Sequence, residues 1–418
     1  MFLAYNWSAV WQSVEDTWLP ILIPIGFVIL VIVIVAIVKG KKKDYLEWIK
    51  TAIIVFPIIA FLFTIPFILH QYHKYGSINK FRVLIIYSFI LYLITMYFLV
   101  ILPLPSREEV ANMTGRTIQL IPFSFIGDIA RETNFNVLDP STYISTLSHP
   151  SAYTMLFNVV MTIPFGMYLR YYYKCSLKKT FILTLLLSLF FEFTQVTGLY
   201  GIYPRPYRLC DVDDLITNTL GGIIGYFIMG IVDDFLPTRD EIDEETIEDG
   251  RRVSGFRRIT LFFLDGFVYL CLSTILSLFS GTLFMTLISF IIYYGVIPSF
   301  WNGKTIASNF LNVRVTFPNM TFIRLILKTI FNYLYYFMLP VCILATGMII
   351  VNNIDLSAVP SIWVYLGCFI IIILFYLVNI FLLLKNGRIY YDNAFKITYL
   401  STIDEVKEKD RRRKDGKH

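Results

Sequence analysis

Glu192 stands inside an apolar run, Ser-Leu-Phe-Phe-Glu-Phe-Thr-Gln, and Gln195 follows three residues later. That spacing puts both side chains on one helix face. An ionisable side chain at the middle of a membrane-spanning helix costs about 2.5–3.5 kcal/mol, so a carboxylate kept there has a partner or a task. The next polar stretch supplies Arg205, Arg208, Asp211, Asp213 and Asp214, and Asn218 lies in the apolar run that follows. Asp211, Asp214 and Asn218 fall at i, i+3 and i+7, one helical stripe. Beyond Asn218, Gly221, Gly222 and Gly225 leave a groove where another helix can approach closely. Such a set either locks two helices together, with Arg208 paired to Glu192 or an aspartate, or binds a ligand. Its concentration at one membrane face favours a site.

A second pair lies further along. Arg258 and Asp265 are seven residues apart, about 10 Å along a helix axis and on one face. One reading is an arginine snorkelling to lipid phosphate and an aspartate bonded to a neighbouring helix. The other is a cation or proton site at Asp265.

The elements that must position these residues are membrane helices. Hydrophobic residues are 56% of the 418, aromatics 17% and charged residues 16%, against roughly 25% charged in a soluble domain. Mean hydropathy is +0.65. The composition excludes a soluble globular fold and predicts an all-α, polytopic integral membrane bundle. Ten apolar runs approach the length of about 20 residues that one crossing needs: 19–38, 52–69, 83–102, 153–169, 181–199, 215–236, 259–279, 283–300, 325–351 and 362–384. They are continuous and not alternating, which excludes a β-barrel. The formal charge of +6 sits in a few loops and forms no nucleic-acid-binding face.

Basic residues at 170–179, 251–258, 304–314 and 411–413 place those segments and the C-terminus in the cytoplasm. The loops 103–152 and 200–214 are then outside. An acidic run from Asp240 to Asp249 reads as a solvated connector between two membrane modules. The expected organisation is N-terminal membrane segments at 1–82, a first membrane domain at 83–236, an acidic cytoplasmic linker at 237–256, a second membrane domain at 257–400 and a basic cytoplasmic tail at 401–418.

Other chemistry is poorly provided for. The five cysteines form no CxxC pair, and the four histidines lack metal-ligand spacing beyond a weak HxxH at His70 and His73. No metal or cofactor is expected, and no catalytic residue is assigned. An intramembrane enzyme acting on a polyprenyl- or glycolipid would use the paired carboxylates. It is the weaker alternative, because no nucleophile stands beside a base and no Walker loop is present.

The ordered motifs Glu192-x2-Gln195, Arg208-x2-Asp211-x2-Asp214-x3-Asn218-x2-Gly221-x3-Gly225, Ile121-Pro122-Phe123 after Arg116, and Asn158 with Ile163-Pro164-Phe165-Gly166 resemble the VanZ-like family over about 83–235. The family's usual asparagine before the Ile-Pro-Phe triplet is replaced by Gln119-Leu120. The resemblance implies a Gram-positive cell-envelope protein, with an association to low-level teicoplanin resistance. It nominates Arg116, Asn158, Glu192, Gln195, Arg208, Asp211, Asp214 and Asn218 as a ligand-binding cluster. The implied partners are a membrane lipid, a lipid-linked cell-wall precursor or the acyl tail of a lipoglycopeptide antibiotic. From 257 onward the chain resembles the RDD family: Arg-Arg-x6-Asp at 257–265 matches its opening, and Gly303-x-Thr305, Arg314-Val315 and Arg324 resemble its later segment. Ala307-Ser308 replaces the common Gly-Lys. That likeness nominates Arg258 and Asp265 and implies transport, with cation/proton exchange as the alternative function of the chain.

Overall fold

The computed structural model describes residues 42–102, 104–278, 282–318, 320–353 and 361–415. The apolar run 19–38 and Asp355 lie outside them. Helices dominate, joined by two short two-stranded sheets. Seven helices among the described residues are long and apolar enough to cross a membrane, and Met285–Phe300 is a shorter apolar one. The chain is a polytopic helical membrane protein. Its bilayer-facing character is visible in large apolar side chains left outside the bundle, such as Phe369, Ile371, Leu374 and Leu377. In a membrane these need no protein cover.

Contacts divide the chain into two compact units. Among the described residues, one holds 42–64 with Lys80–Ile242, the other Ile65–Asn79 with those from Asp243 onward. Helix α1 (Lys42–Tyr75) contributes to both.

In the first unit, α2 (Lys80–Ile101) is followed by the short α3 (Arg107–Asn112), strand β1 (Ile118–Gln119), α4 (Ser124–Glu132) and α5 (Ser141–Leu147). Three long helices come next: α6 (Pro150–Tyr171), α7 (Leu177–Val196) and, after strand β2 (Cys210–Asp211), α8 (Val212–Val232). Side-chain caps set two of the starts. Ser176 accepts the Lys179 amide at the start of α7, and Asp211 accepts the Asp213 amide at the start of α8. The tightest packing is α8 against α6. A Cβ on Gly225 would lie 1.9 Å from the Ile163 carbonyl oxygen, and one on Gly166 would lie 1.9 Å from that of Gly222. The two backbones touch because nothing larger than hydrogen separates them.

In the acidic stretch, α9 (Arg239–Gly250) is helical where a solvated connector was expected, and one face is buried at Ile242 and Thr246. The second unit continues with α10 (Gly255–Ser277), α11 (Met285–Phe300), α12 (Ile306–Phe310), strand β3 (Val313–Thr316), α13 (Phe322–Asn352) and α14 (Ser361–Asn386). It ends with α15 (Tyr390–Phe395), strand β4 (Thr398–Ser401) and α16 (Ile403–Asp415). β3 and β4 pair antiparallel, with Val313 opposite Ser401. Helices α11 and α13 each contain a widened π turn, Ile292–Val296 and Leu334–Met338.

Candidate functional site

The first polar cluster assembles where α6, α7 and the start of α8 meet. Glu192 is buried, and its carboxylate accepts the Asp211 amide at 2.9 Å. Asp211 in turn caps α8, accepting the Asp213 amide at 2.9 Å. Burial raises the Asp211 carboxyl above its ordinary range, and the neighbouring Asp213 and Asp128 charges add to the rise. Asp214 accepts from the Asn158 side-chain amide at 2.6 Å. Asn218 donates to the Ser188 hydroxyl at 2.9 Å, and its backbone carbonyl accepts the Thr162 hydroxyl at 2.7 Å. Five of the expected residues, from three helices and the cap of one of them, thus join through a few links: Glu192, Asp211, Asn158, Asp214 and Asn218.

Gln195 is buried one turn beyond Glu192. Its side-chain oxygen, like that of Asn218, has no hydrogen-bond partner among the described residues. Arg208 donates to the Leu102 carbonyl at the end of α2, and Tyr207 donates to the Ile101 carbonyl at 2.6 Å. These bonds staple the 200–211 loop to that helix. Arg116 stands exposed on the turn before β1, outside the hydrogen-bonded set. Cys210 sits at the edge of the cluster, and burial pushes its thiol up to about 12. The hydrogen bond to Glu192 and the charges of Asp211 and Asp214 add to that shift.

Sequence reasoning did not nominate Asp213, yet its carboxylate is the most heavily used of the group. It accepts the Phe123 amide at 2.5 Å, the Ser124 hydroxyl at 2.9 Å and the Phe125 amide at 3.1 Å. Phe123 has a left-handed backbone, φ 62°, at the start of α4. An aromatic residue rarely adopts this conformation, and the carboxylate holds it. Together with the parallel pairing of Ile118 to Cys210 and Gln119 to Asp211, Asp213 ties the 118–125 segment to the first turn of α8. That segment and the helix after it expose Leu120, Ile121, Phe123 and Ile126. A polar cluster and an apolar surface therefore meet at one helix end.

A family model described as VanZ/LLP1 matches residues 89–233, which contain this whole cluster. Protein VanZ of Enterococcus faecium is 31% identical over 143 residues, covering 34% of this chain and 70% of that protein. The chain belongs to the VanZ family. The VanZ-like domain holds α6, α7, α8 and the 118–125 segment that Asp213 grips. No solved structure matches the chain.

The second nominated pair lies in the other unit and differs from expectation in one respect. Arg258 does not snorkel outward. It is buried and pairs with Asp392 of α15 at 2.5 Å, lying 3.7 Å from the Tyr399 ring centre. Asp392 was missed because it lies in a short helix beyond the last apolar run. Asp265 accepts the Tyr293 and Thr305 hydroxyls, each at 2.7 Å. Thr305 also caps α12 in a reciprocal box with Ser308, which gives the Gly-x-Thr segment a structural task. Arg324 is exposed and donates to the Pro318 carbonyl. Among the described residues no group of His, Cys, Asp and Glu side chains is arranged to hold a metal ion.

Proposed function

We propose that the VanZ-like domain binds an amphiphile at the outer leaflet of the plasma membrane of a Gram-positive bacterium, without chemical turnover. A lipid-linked cell-wall intermediate fits this reading, as does the acyl tail of a lipoglycopeptide such as teicoplanin. The observation that carries it is the grip of Asp213 on Phe123–Phe125. That grip seats exposed Leu120, Ile121, Phe123 and Ile126 beside the Glu192, Asp211 and Asp214 carboxylates. The cluster is rich in acceptors, and Gln195 and Asn218 add two buried oxygens without partners among the described residues. It suits a headgroup carrying hydroxyl or ammonium donors, while the apolar surface suits a chain. We assign the second unit to the RDD-like module whose motifs the sequence carries, so that the protein is a fusion of two membrane domains.

Asp214→Asn and Glu192→Gln change the charge but little of the shape. Expressed at the level of the unaltered protein in a susceptible Gram-positive host, each is expected to lose the teicoplanin tolerance that the unaltered chain confers. Each purified variant should also lose binding of a fluorescent undecaprenyl-linked precursor. Full tolerance and full binding in both variants would remove this reading.

A further inference from the structure

Helix α4 lies across one end of the VanZ-like domain. Asn158 meets Asp214, Thr162 meets the Asn218 carbonyl, and Gly166 packs against Gly222. The separation along the chain stays at 56 positions, so α6 and α8 run parallel and start at the same end of the bundle. Both are long and apolar enough to cross a membrane, which puts that end at a membrane surface. Asp213, in the first turn of α8, holds Phe123 and Phe125 at one end of α4. At the other end Glu132 accepts the Ser151 hydroxyl in the first turn of α6. A helix of 9 residues is about 13 Å long, and this one joins the starts of two spans. It therefore runs along the membrane surface and not through it.

The two sides of α4 differ. Phe125, Ile126 and Ile129 fall on one, and Ser124, Asp128, Arg131 and Glu132 on the other. No residue of this helix is buried, so the protein leaves the apolar side without full cover. The residues before it extend the apolar surface: Leu120 is 73% exposed, Ile121 63% and Phe123 55%, and Ile126 adds 57%. A continuous apolar patch marks a surface that something else covers. This one adjoins spans whose own exposed side chains, Leu156 of α6 and Leu220 of α8 among them, face lipid in a bilayer. The backbone gives an independent sign. Ile121 donates its amide to the Gln119 side chain at 3.3 Å, Phe123 and Phe125 donate theirs to Asp213, and Ile126 donates to the Phe123 carbonyl at 3.2 Å. An aqueous loop can leave such amides to water, whereas a segment in lipid needs partners within the protein.

We propose that residues 118–132 are an interfacial element seated in one leaflet of the bilayer. Leu120, Ile121, Phe123 and Ile126 enter among the acyl chains, with the apolar side buried about 5–10 Å into the boundary between headgroups and chains. Asp128, Arg131 and Glu132 stay at the headgroup level. The occupant of the apolar surface is bilayer lipid, whichever ligand the carboxylate cluster takes. An amphiphile bound by that cluster reaches it along the membrane plane with its chain still in the bilayer, and this corollary alone rests on the function proposed above.

The test places the full-length chain in nanodiscs of phosphatidylglycerol and phosphatidylcholine. Hydroxyl-radical footprinting of the unaltered protein, which needs no variant, is expected to leave Leu120, Ile121 and Phe123 unmodified despite their exposure, because lipid keeps water away. Oxidation of Phe123 there would overturn the proposal. Nitroxide labels then identify what covers the segment. With the five cysteines replaced, labels at Leu120→Cys and Ile126→Cys should collide more often with oxygen, which concentrates in hydrocarbon, than with a neutral nickel chelate, which stays in water. A label at Arg131→Cys should show the reverse ratio. Nickel-accessible labels at all three positions would make the segment a solvated loop. Labels at 120 and 126 shielded from both reagents would make the cover protein, either a second copy or another part of this chain. Each of these results would overturn the proposal.

Discussion

Arg258 and Asp392, 134 positions apart, form an ion pair at 2.5 Å with both side chains buried. Asp392 also accepts the Ile389 amide at 3.0 Å, and Arg258 donates to the Gly387 carbonyl. The pair closes the α14–α15 turn onto the first turn of α10. Removing one partner strands a buried charge, at a cost of about 3–5 kcal/mol. Asp392→Ala is therefore expected to lower the thermal midpoint of the purified protein well below that of Arg258→Met/Asp392→Leu, in which no charge is left. Equal midpoints would show that the ion pair does not organise this turn.

The Asp213 carboxylate makes an equally local prediction. Asp213→Ala removes the acceptor of two backbone amides and a hydroxyl, and should cost about 2 kcal/mol or more. It should also release Phe123 from its left-handed backbone. Hydrogen exchange read by mass spectrometry should accelerate in the peptide holding Phe123 and Phe125, while the interior of α8 stays protected. Unchanged exchange in that peptide would mean that strand pairing alone holds the segment.

The Glu192 to Asn218 set was legible because its members repeat at helical spacing within apolar runs, where an ionisable group stands out. Asp213 stayed hidden for a different reason: its partners lie 88 to 90 residues away, and no local pattern announces them. Asp392 was hidden likewise, since a short helix after the last span gives no sign that it returns to α10. The glycines of α8 were legible as a groove, and α6 fills it. The acidic stretch concealed its helix because charge dominates it. The buried positions Ile242, Thr246 and Gly250, at i, i+4 and i+8, mark its packed face.

Cys210 gives a chemical readout of the cluster. A thiol is alkylated as its thiolate, and burial with the Glu192 hydrogen bond holds this one up at about 12. An acid whose pKa is raised keeps its proton to higher pH, so the folded chain presents little thiolate at pH 8. In a variant with Cys210 as sole cysteine, N-ethylmaleimide should react about ten-fold or more slowly with the folded protein than with the unfolded one. The rate should keep rising beyond pH 10, and Glu192→Gln should move the profile to lower pH. A profile that levels off near pH 9 would mean that the carboxylate does not hold the thiol.

The proposed capture of an external amphiphile depends on which side of the membrane the cluster faces, and α6 offers a direct test. Ser141 is exposed in α5, before the helix begins, and Lys178 is exposed at the start of α7, after it ends. One span separates them. Arg170, Lys174, Lys178 and Lys179 crowd the second end, and the excess of basic residues belongs to the cytoplasmic side. With Cys210 replaced, Ser141→Cys is expected to react with a membrane-impermeant maleimide in whole cells. Lys178→Cys should react only after lysis. The reverse pattern would put Asp213 and its apolar segment on the cytoplasmic face. Binding of an antibiotic or precursor from the outer leaflet would then be impossible there, and the amphiphile would have to come from the inner leaflet.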